Sequence, residues 1–244
     1  MPEIKHSISA QQRTLSEVVS ISRQFLRSVR IDTDLGREDA LSGYLCQGTA
    51  RSLLENMSKQ ITETNQRAFT WTGPYGGGKS SLALSLCSLV SSNPKLRAKA
   101  RQVLGLTEGS LVQRAFATKS DGWLVVPVVG KRTDVRTELS NALAAARGVS
   151  PLRRKNVDVV AELVDEAERH PNGVLVVIDE LGKLLEATAM EGGDIEPPRE
   201  LRRLQRLRRW SHDQVKQVLT RGPRARRAHG AGAPSRLPLT VGSH

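Results

Sequence analysis

Hydrophobic positions along the 244-residue chain occur in two arrangements, short continuous runs and helical spacing, and the two arrangements alternate. The continuous runs are rich in β-prone residues and predict three strands, at residues 68–72, 123–129 and 174–178. Apolar residues spaced three and four apart predict helices at residues 14–30, 41–57, 79–90, 95–118, 132–147 and 157–169, and a helix or turn at 181–189. Strands that alternate with helices favour an α/β fold with a parallel sheet flanked by helices.

The third run, residues 174–178, has five apolar residues in succession. A strand without polar positions is typical of the interior of a parallel sheet, where both faces are covered by helices. The run ends in two carboxylates, Asp179 and Glu180. The pattern therefore predicts a buried strand that delivers an acidic pair to the carboxyl edge of the sheet.

A glycine-rich segment, residues 73–80 with the sequence GPYGGGKS, lies between the first predicted strand and a predicted helix. It matches the phosphate-binding pattern G-x-x-x-x-G-K-[ST] at every fixed position. Small residues allow backbone N–H groups to point inward around a phosphate, and the following helix adds the positive end of its dipole. The predicted nucleotide-binding residues are Gly73, Pro74, Tyr75, Gly76, Gly77, Gly78, Lys79, Ser80 and Ser81.

Each polar group in the two segments has an expected chemical role. We expect Lys79 to contact the β- and γ-phosphates of ATP, and Ser80 and Asp179 to hold Mg²⁺. Glu180 is expected to act as the general base for the attacking water. Lys79 and Glu180 are thus the predicted catalytic residues, and a glutamate after the aspartate favours hydrolysis over transfer to a small-molecule acceptor.

The two motifs together resemble those of P-loop ATPases with an additional catalytic glutamate, in the AAA+ and STAND-like branch, over about residues 68–190. The segments GPYGGGKSS and IDELGKLLE are also similar to those of large ATPases in bacterial phage-defence systems of the BREX kind. The resemblance implies a P-loop sheet and ATP hydrolysis coupled to conformational change or assembly. It also implies a homo-oligomer or defence-system partner proteins, and an adenine pocket formed partly by residues 34–51.

The chain departs from this resemblance after Asp194, where the pattern predicts no further strand. In such ATPases a strand carrying a polar sensor residue lies between the phosphate-loop strand and the acidic strand. We therefore expect the C-terminal strands of the sheet to be missing. The predicted organisation is a helical segment at 1–66, an incomplete ATPase core at 67–194 and a basic, disordered tail at 195–244.

Charge is concentrated in that tail. The chain carries 37 Lys and Arg against 25 Asp and Glu, and residues 191–244 hold 12 of the basic and 5 of the acidic residues. Three interpretations stay open: a nucleic-acid-binding arm, a solvated tail without specific function, and a frameshift product translated from GC-rich codons. A basic surface of this kind is also consistent with an alternative function, in which the chain is a catalytically incomplete module that binds nucleic acid or a partner protein.

Composition limits the kinds of site and the cellular compartment that we expect for this chain. The two cysteines, Cys46 and Cys87, have no paired spacing, and the five histidines show no metal-binding pattern. No apolar run is long enough to span a bilayer. We expect a cytoplasmic protein without a membrane partner.

Overall fold

The computed structural model describes residues 28–64, 66–150, 158–190, 199–206, 215–221 and 241–242. Most of the predicted helix at 14–30 lies outside these residues. The interpretations of 195–244 can be compared with the structure only at 199–206, 215–221 and 241–242.

Nine helices are present in the described part of the chain. They are α1 (Ile31–Asp34), α2 (Gly48–Glu63), α3 (Lys79–Leu89), α4 (Pro94–Leu104), α5 (Leu111–Ala115), α6 (Val135–Ala146), α7 (Val159–Arg169), α8 (Leu181–Met190) and α9 (Arg199–Arg206). A 3₁₀ turn at Asp39–Leu41 lies between α1 and α2.

Two helix predictions had wrong boundaries for local reasons. The helix expected at 41–57 begins only at Gly48 and runs to Glu63, because the chain turns through the 3₁₀ segment and Gly43, whose φ is 80°. The helix expected at 95–118 is two helices, since Gly105 adopts a φ of 62° and ends α4. Left-handed backbone of this kind ends a helix, and glycine adopts it without steric cost.

The strands form one mixed sheet in the order β2-β3-β4-β1-β5. They are β1 (Ala68–Thr72), β2 (Leu124–Val129), β3 (Val174–Asp179), β4 (Val215–Arg221) and β5 (Val241–Gly242). The first four run parallel, whereas β5 pairs antiparallel with β1. The three predicted strands are all present, and the architecture is α/β with a mainly parallel sheet flanked by helices.

The prediction that no strand follows Asp194 was wrong. β4 lies between β1 and β3 and pairs with both, with Phe69 opposite Val218 and Val177 also opposite Val218. The strand position between β1 and β3, which was expected to be empty, is therefore occupied by this chain's own backbone. Its register brings Thr220 and Arg221 to the carboxyl edge of the sheet, where β1 ends at Thr72.

Helices cover both faces of the sheet, as the unbroken apolar run predicted. Leu175 and Val177 of β3 pack in one core with residues of α2 and α3, while Val174, Val176 and Ile178 pack in a second core. The second core includes residues of α6, α7 and α9. All six residues of β3 are buried because successive side chains point to opposite, equally covered faces.

The first part of the predicted basic tail is an ordered, docked helix rather than a disordered segment. Leu201 and Leu204 of α9 are buried in the second core. Arg136 of α6 donates to Glu200 at 2.7 Å, and Arg203 donates to Asp158 at 2.6 Å. The leucines of the amphipathic helix α9 thus face the core, and some of its charged side chains form ion pairs with neighbouring helices.

Candidate functional site

The glycine loop (residues 73–80) connects the end of β1 to the start of α3 at the carboxyl edge of the sheet. Gly76 and Gly78 have φ values of 73° and 74°, a conformation that favours glycine. The Gly77 N–H donates to the Pro74 carbonyl at 3.3 Å, and a Cβ on Gly77 would lie 3.1 Å from that carbonyl oxygen. These glycines therefore permit the tight turn that the phosphate-binding pattern requires.

Lys79 lies across this loop. Its Nζ donates to the carbonyl oxygens of Gly73 at 3.1 Å and Pro74 at 2.8 Å. Burial lowers the pKa of the Lys79 ammonium, and the nearby Asp179 carboxylate acts in the opposite direction. The ammonium is thus held at the loop by two neutral acceptors, which an anionic ligand can replace with a stronger, charged partner.

Ser80 and Asp179 meet at the base of the site although 99 positions separate them in sequence. The Ser80 hydroxyl donates to Asp179 Oδ2 at 2.7 Å, and Asp179 Oδ1 accepts from the Glu180 N–H at 2.9 Å. Asp179 is only 8 % exposed. The contact joins the start of α3 to the end of β3 and brings together the two residues that the sequence assigned to one metal ion.

These oxygens fit Mg²⁺ rather than a transition metal. Hydroxyl and carboxylate oxygens are hard ligands, and Mg²⁺ is usually held by one or two protein groups together with phosphate oxygens and water. Within the described ranges, no three His, Cys, Asp or Glu side chains cluster so that they could hold a metal ion by themselves. The donor set therefore suits a cation that arrives with a polyphosphate.

Glu180 occupies a strained turn between β3 and α8. Its φ is 53°, in the left-handed region that residues with a side chain rarely adopt. The Gly130 N–H, just beyond β2, donates to the Asp179 carbonyl at 2.8 Å. A Cβ on Gly130 would lie 2.3 Å from the Glu180 carbonyl oxygen, so only glycine lets this turn pack against the end of β2.

Replacing Gly130 with alanine is expected to lower the free energy of unfolding by about 1–3 kcal/mol, since the new methyl group meets backbone that cannot swing away. Gly182→Ala is the matched control on the same side of the cleft. A Cβ there meets nothing within 4 Å, and alanine in a helix is expected to raise the free energy of unfolding by about 0.5 kcal/mol. Urea denaturation of both variants measures the difference, and equal stability of Gly130→Ala and wild type would contradict the packing of this turn.

An open cleft of about 960 Å³ surrounds these groups, near the upper end of the range for small-molecule sites. The glycine loop, the end of β3 and the first turn of α8 form one part of its wall. Residues before α2 form another part: Ser28, Val29, Arg30, Ala40, Ser42, Gly43 and Tyr44.

The expected adenine-pocket segment, residues 34–51, contributes to this wall in part. Tyr44 Cε2 lies 3.6 Å from the position of a Cβ on Gly78, so the ring stands beside the glycine loop. Burial raises the pKa of the Tyr44 phenol, so this side chain stays neutral at physiological pH. Asp34, in contrast, is buried and accepts from the Arg30 N–H at 2.9 Å, which places it in the support of α1.

The predicted binding residues divide into two groups. Those that line the cleft are Tyr75, Gly76, Gly77, Gly78, Lys79, Ser80, Ser81, Asp179 and Glu180. Gly73 and Pro74 instead supply the carbonyl oxygens that hold Lys79. Tyr75 is 77 % exposed at the tip of the loop.

Sequence reasoning missed several residues of the cleft, among them Arg30, Gly130, Lys131 and Lys183. Two of them had a usable signal. Gly130 directly follows a predicted strand, and the carboxyl ends of parallel strands share one edge. Lys183 lies three residues after Glu180 at the start of a predicted helix, a spacing that brings two side chains to the same face.

No model of a known protein family matches the chain, and no curated protein sequence matches it. In the part of the chain that the structure describes, no helix combines the length and apolar character that crossing a membrane requires.

Proposed function

We propose that this chain binds ATP together with Mg²⁺ and hydrolyses it. The observation that carries the proposal is the 2.7 Å contact between Ser80 Oγ and Asp179 Oδ2, beside the ammonium of Lys79. A glycine-rich turn with two left-handed glycines leads into α3, whose second residue is Ser80. One cleft is thus lined by the glycine loop, a cation and two hard oxygen ligands, a set that suits a Mg²⁺-bound triphosphate.

Binding uses groups that are already in position. The glycine loop offers backbone N–H groups, and α3 directs its positive end to the same place. Lys79 exchanges two carbonyl partners for phosphate oxygens, while Ser80 and Asp179 would hold Mg²⁺. The cation, when bound, would neutralise part of the phosphate charge.

Hydrolysis needs a base beside the terminal phosphate, and we assign this role to Glu180. Its side chain is 41 % exposed and lines the same cleft, so water reaches the carboxylate. A carboxylate there can accept a proton from the attacking water as the water oxygen bonds to phosphorus and the bond to the leaving diphosphate breaks.

Glu180→Gln is expected to reduce phosphate release from ATP by about 100-fold or more while ATP still binds at least as tightly as in wild type, because the amide cannot accept the proton. Glu186→Gln is the matched control, since Glu186 is another cleft-lining carboxylate on α8, 4.0 Å from Arg132. Steady-state phosphate release and calorimetric titration with Mg-ATP measure the two effects. Unchanged turnover in Glu180→Gln, or absence of ATP binding in wild type at millimolar nucleotide, would overturn the proposal.

The alternative function, a module that binds nucleic acid or protein without catalysis, is a separate proposal based on the net charge of +12. Within α9, Arg203 is engaged with Asp158 and the helix packs its leucines inward. Salt-dependent DNA binding that survives Lys79→Ala would favour this alternative. Homo-oligomers and defence-system partners stay predictions of the resemblance.

A further inference from the structure

The expected catalytic carboxylate already has a partner inside the cleft. The Lys183 ammonium forms an ion pair with Glu180 Oε2 across the first turn of α8, and both residues line the cleft. Arg30, another cation of the cleft wall, is occupied by a two-point contact with Asp32 at 3.2 and 2.7 Å. Lys183 is thus in direct contact with the carboxylate that hydrolysis would use.

Local backbone geometry explains why these two side chains meet. The left-handed turn at Glu180 is held by Gly130 behind it, and the Lys183 N–H donates to the Glu180 carbonyl at 2.9 Å. That hydrogen bond closes the turn and places the ammonium three residues beyond the carboxylate on one helical face. The pairing is therefore built into the same turn that directs Glu180 to the cleft.

The pair is weak enough to exchange partners. Its side chains are 52 % and 41 % exposed, and an exposed ion pair changes an equilibrium by no more than about fivefold. A terminal phosphate carries more negative charge than one carboxylate and offers more acceptor oxygens. Glu180 and a terminal phosphate in this cleft would compete for one ammonium.

We propose that Lys183 is a positioning residue that responds to the terminal phosphate of a nucleoside triphosphate; this inference rests on the proposed function of the cleft. Without nucleotide, Lys183 holds the Glu180 carboxylate. When a triphosphate binds, its terminal phosphate takes the ammonium and Glu180 is released to accept a proton from water. A diphosphate lacks that group and leaves the pair closed, so the base is freed only when there is a phosphate to remove.

The test is a double-mutant cycle in which the measured quantity is nucleotide affinity rather than catalytic activity. Affinities for ADP and for a non-hydrolysable ATP analogue are measured by calorimetry for wild type, Lys183→Met, Glu180→Gln and the double variant. We expect Lys183→Met to reduce the preference for triphosphate over diphosphate by about tenfold. Glu180→Gln should tighten triphosphate binding up to about fivefold when Lys183 is present, and leave it unchanged in the Lys183→Met background.

Two further variants separate this role from general charge and from folding. Lys131→Met removes another cleft lysine, which pairs with Glu138 at 3.5 Å, and should leave the triphosphate preference unchanged. Lys183→Arg keeps the charge and should retain most of the preference. An unchanged preference in Lys183→Met, or equal tightening by Glu180→Gln in both backgrounds, would overturn the inference while Lys79-dependent ATP binding still supported the proposed function. If wild type binds neither nucleotide, both proposals fail.

Discussion

Lys79→Ala is expected to lower the affinity of the chain for Mg-ATP by at least about 100-fold, because it removes the cation at the centre of the glycine loop. In the free protein the Lys79 ammonium is held by two neutral carbonyl groups, and burial lowers its pKa. The positive charge of Lys79 therefore has no anionic hydrogen-bond partner in the loop until a phosphate binds. Phosphate oxygens are such partners, so most of the favourable interaction energy of Lys79 arises only in the complex with ATP.

The same reasoning separates binding from folding. Burial disfavours the charge of Lys79 in the free protein, so we expect the alanine variant to fold with little loss of stability. Lys95→Ala, on the exposed surface of α4, is the control for the loss of one positive charge. Calorimetric titration with Mg-ATP measures the affinities, and circular dichroism verifies the fold. Equal ATP affinity in wild type and Lys79→Ala would refute the assignment of this loop as the phosphate site.

A chain that ends after Gly192 is expected not to fold, because it lacks both α9 and β4. β4 pairs with β1 at five register positions and with β3 at five. Its removal leaves facing edges of two central strands without hydrogen-bond partners, and each buried unsatisfied backbone group costs about 1–3 kcal/mol. The summed cost of several such groups exceeds the free energy of unfolding of an ordinary domain, about 5–15 kcal/mol. The loss of Leu201 and Leu204 also opens the second core.

A chain that ends after Arg221 is the matched control. It keeps β4 and, among the elements that the structure describes, loses only β5, which pairs with β1 at two positions. We expect this variant to fold and to bind ATP, and the shorter one to show neither a cooperative thermal transition nor ATP binding. If the chain that ends after Gly192 unfolds cooperatively and binds ATP like wild type, the residues after 195 are dispensable. The interpretation of that segment as a frameshift product would then be favoured.

Local sequence determined much of the candidate site. The spacing of Gly73, Gly78 and Lys79 predicted the turn that the structure contains, because a phosphate-binding loop depends on a few consecutive backbone conformations. The unbroken apolar run before Asp179 predicted a strand buried on both faces, and all of β3 is buried. These features are short-range, so composition and order within ten residues suffice to predict them.

The tertiary structure alone decided the centre of the sheet and the partners in the cleft. β4 contains Lys216 and Gln217 among its apolar residues and follows an arginine-rich helix, so its own pattern did not predict a strand. Its place depends on edges supplied by β1 and β3, far away in sequence. The contact of Gly130 with the Glu180 turn and the ion pairs that dock α9 depend in the same way on distant elements. The sequence by itself thus determined which chemical groups the site would have, while pairing and packing between distant segments decided what holds them together.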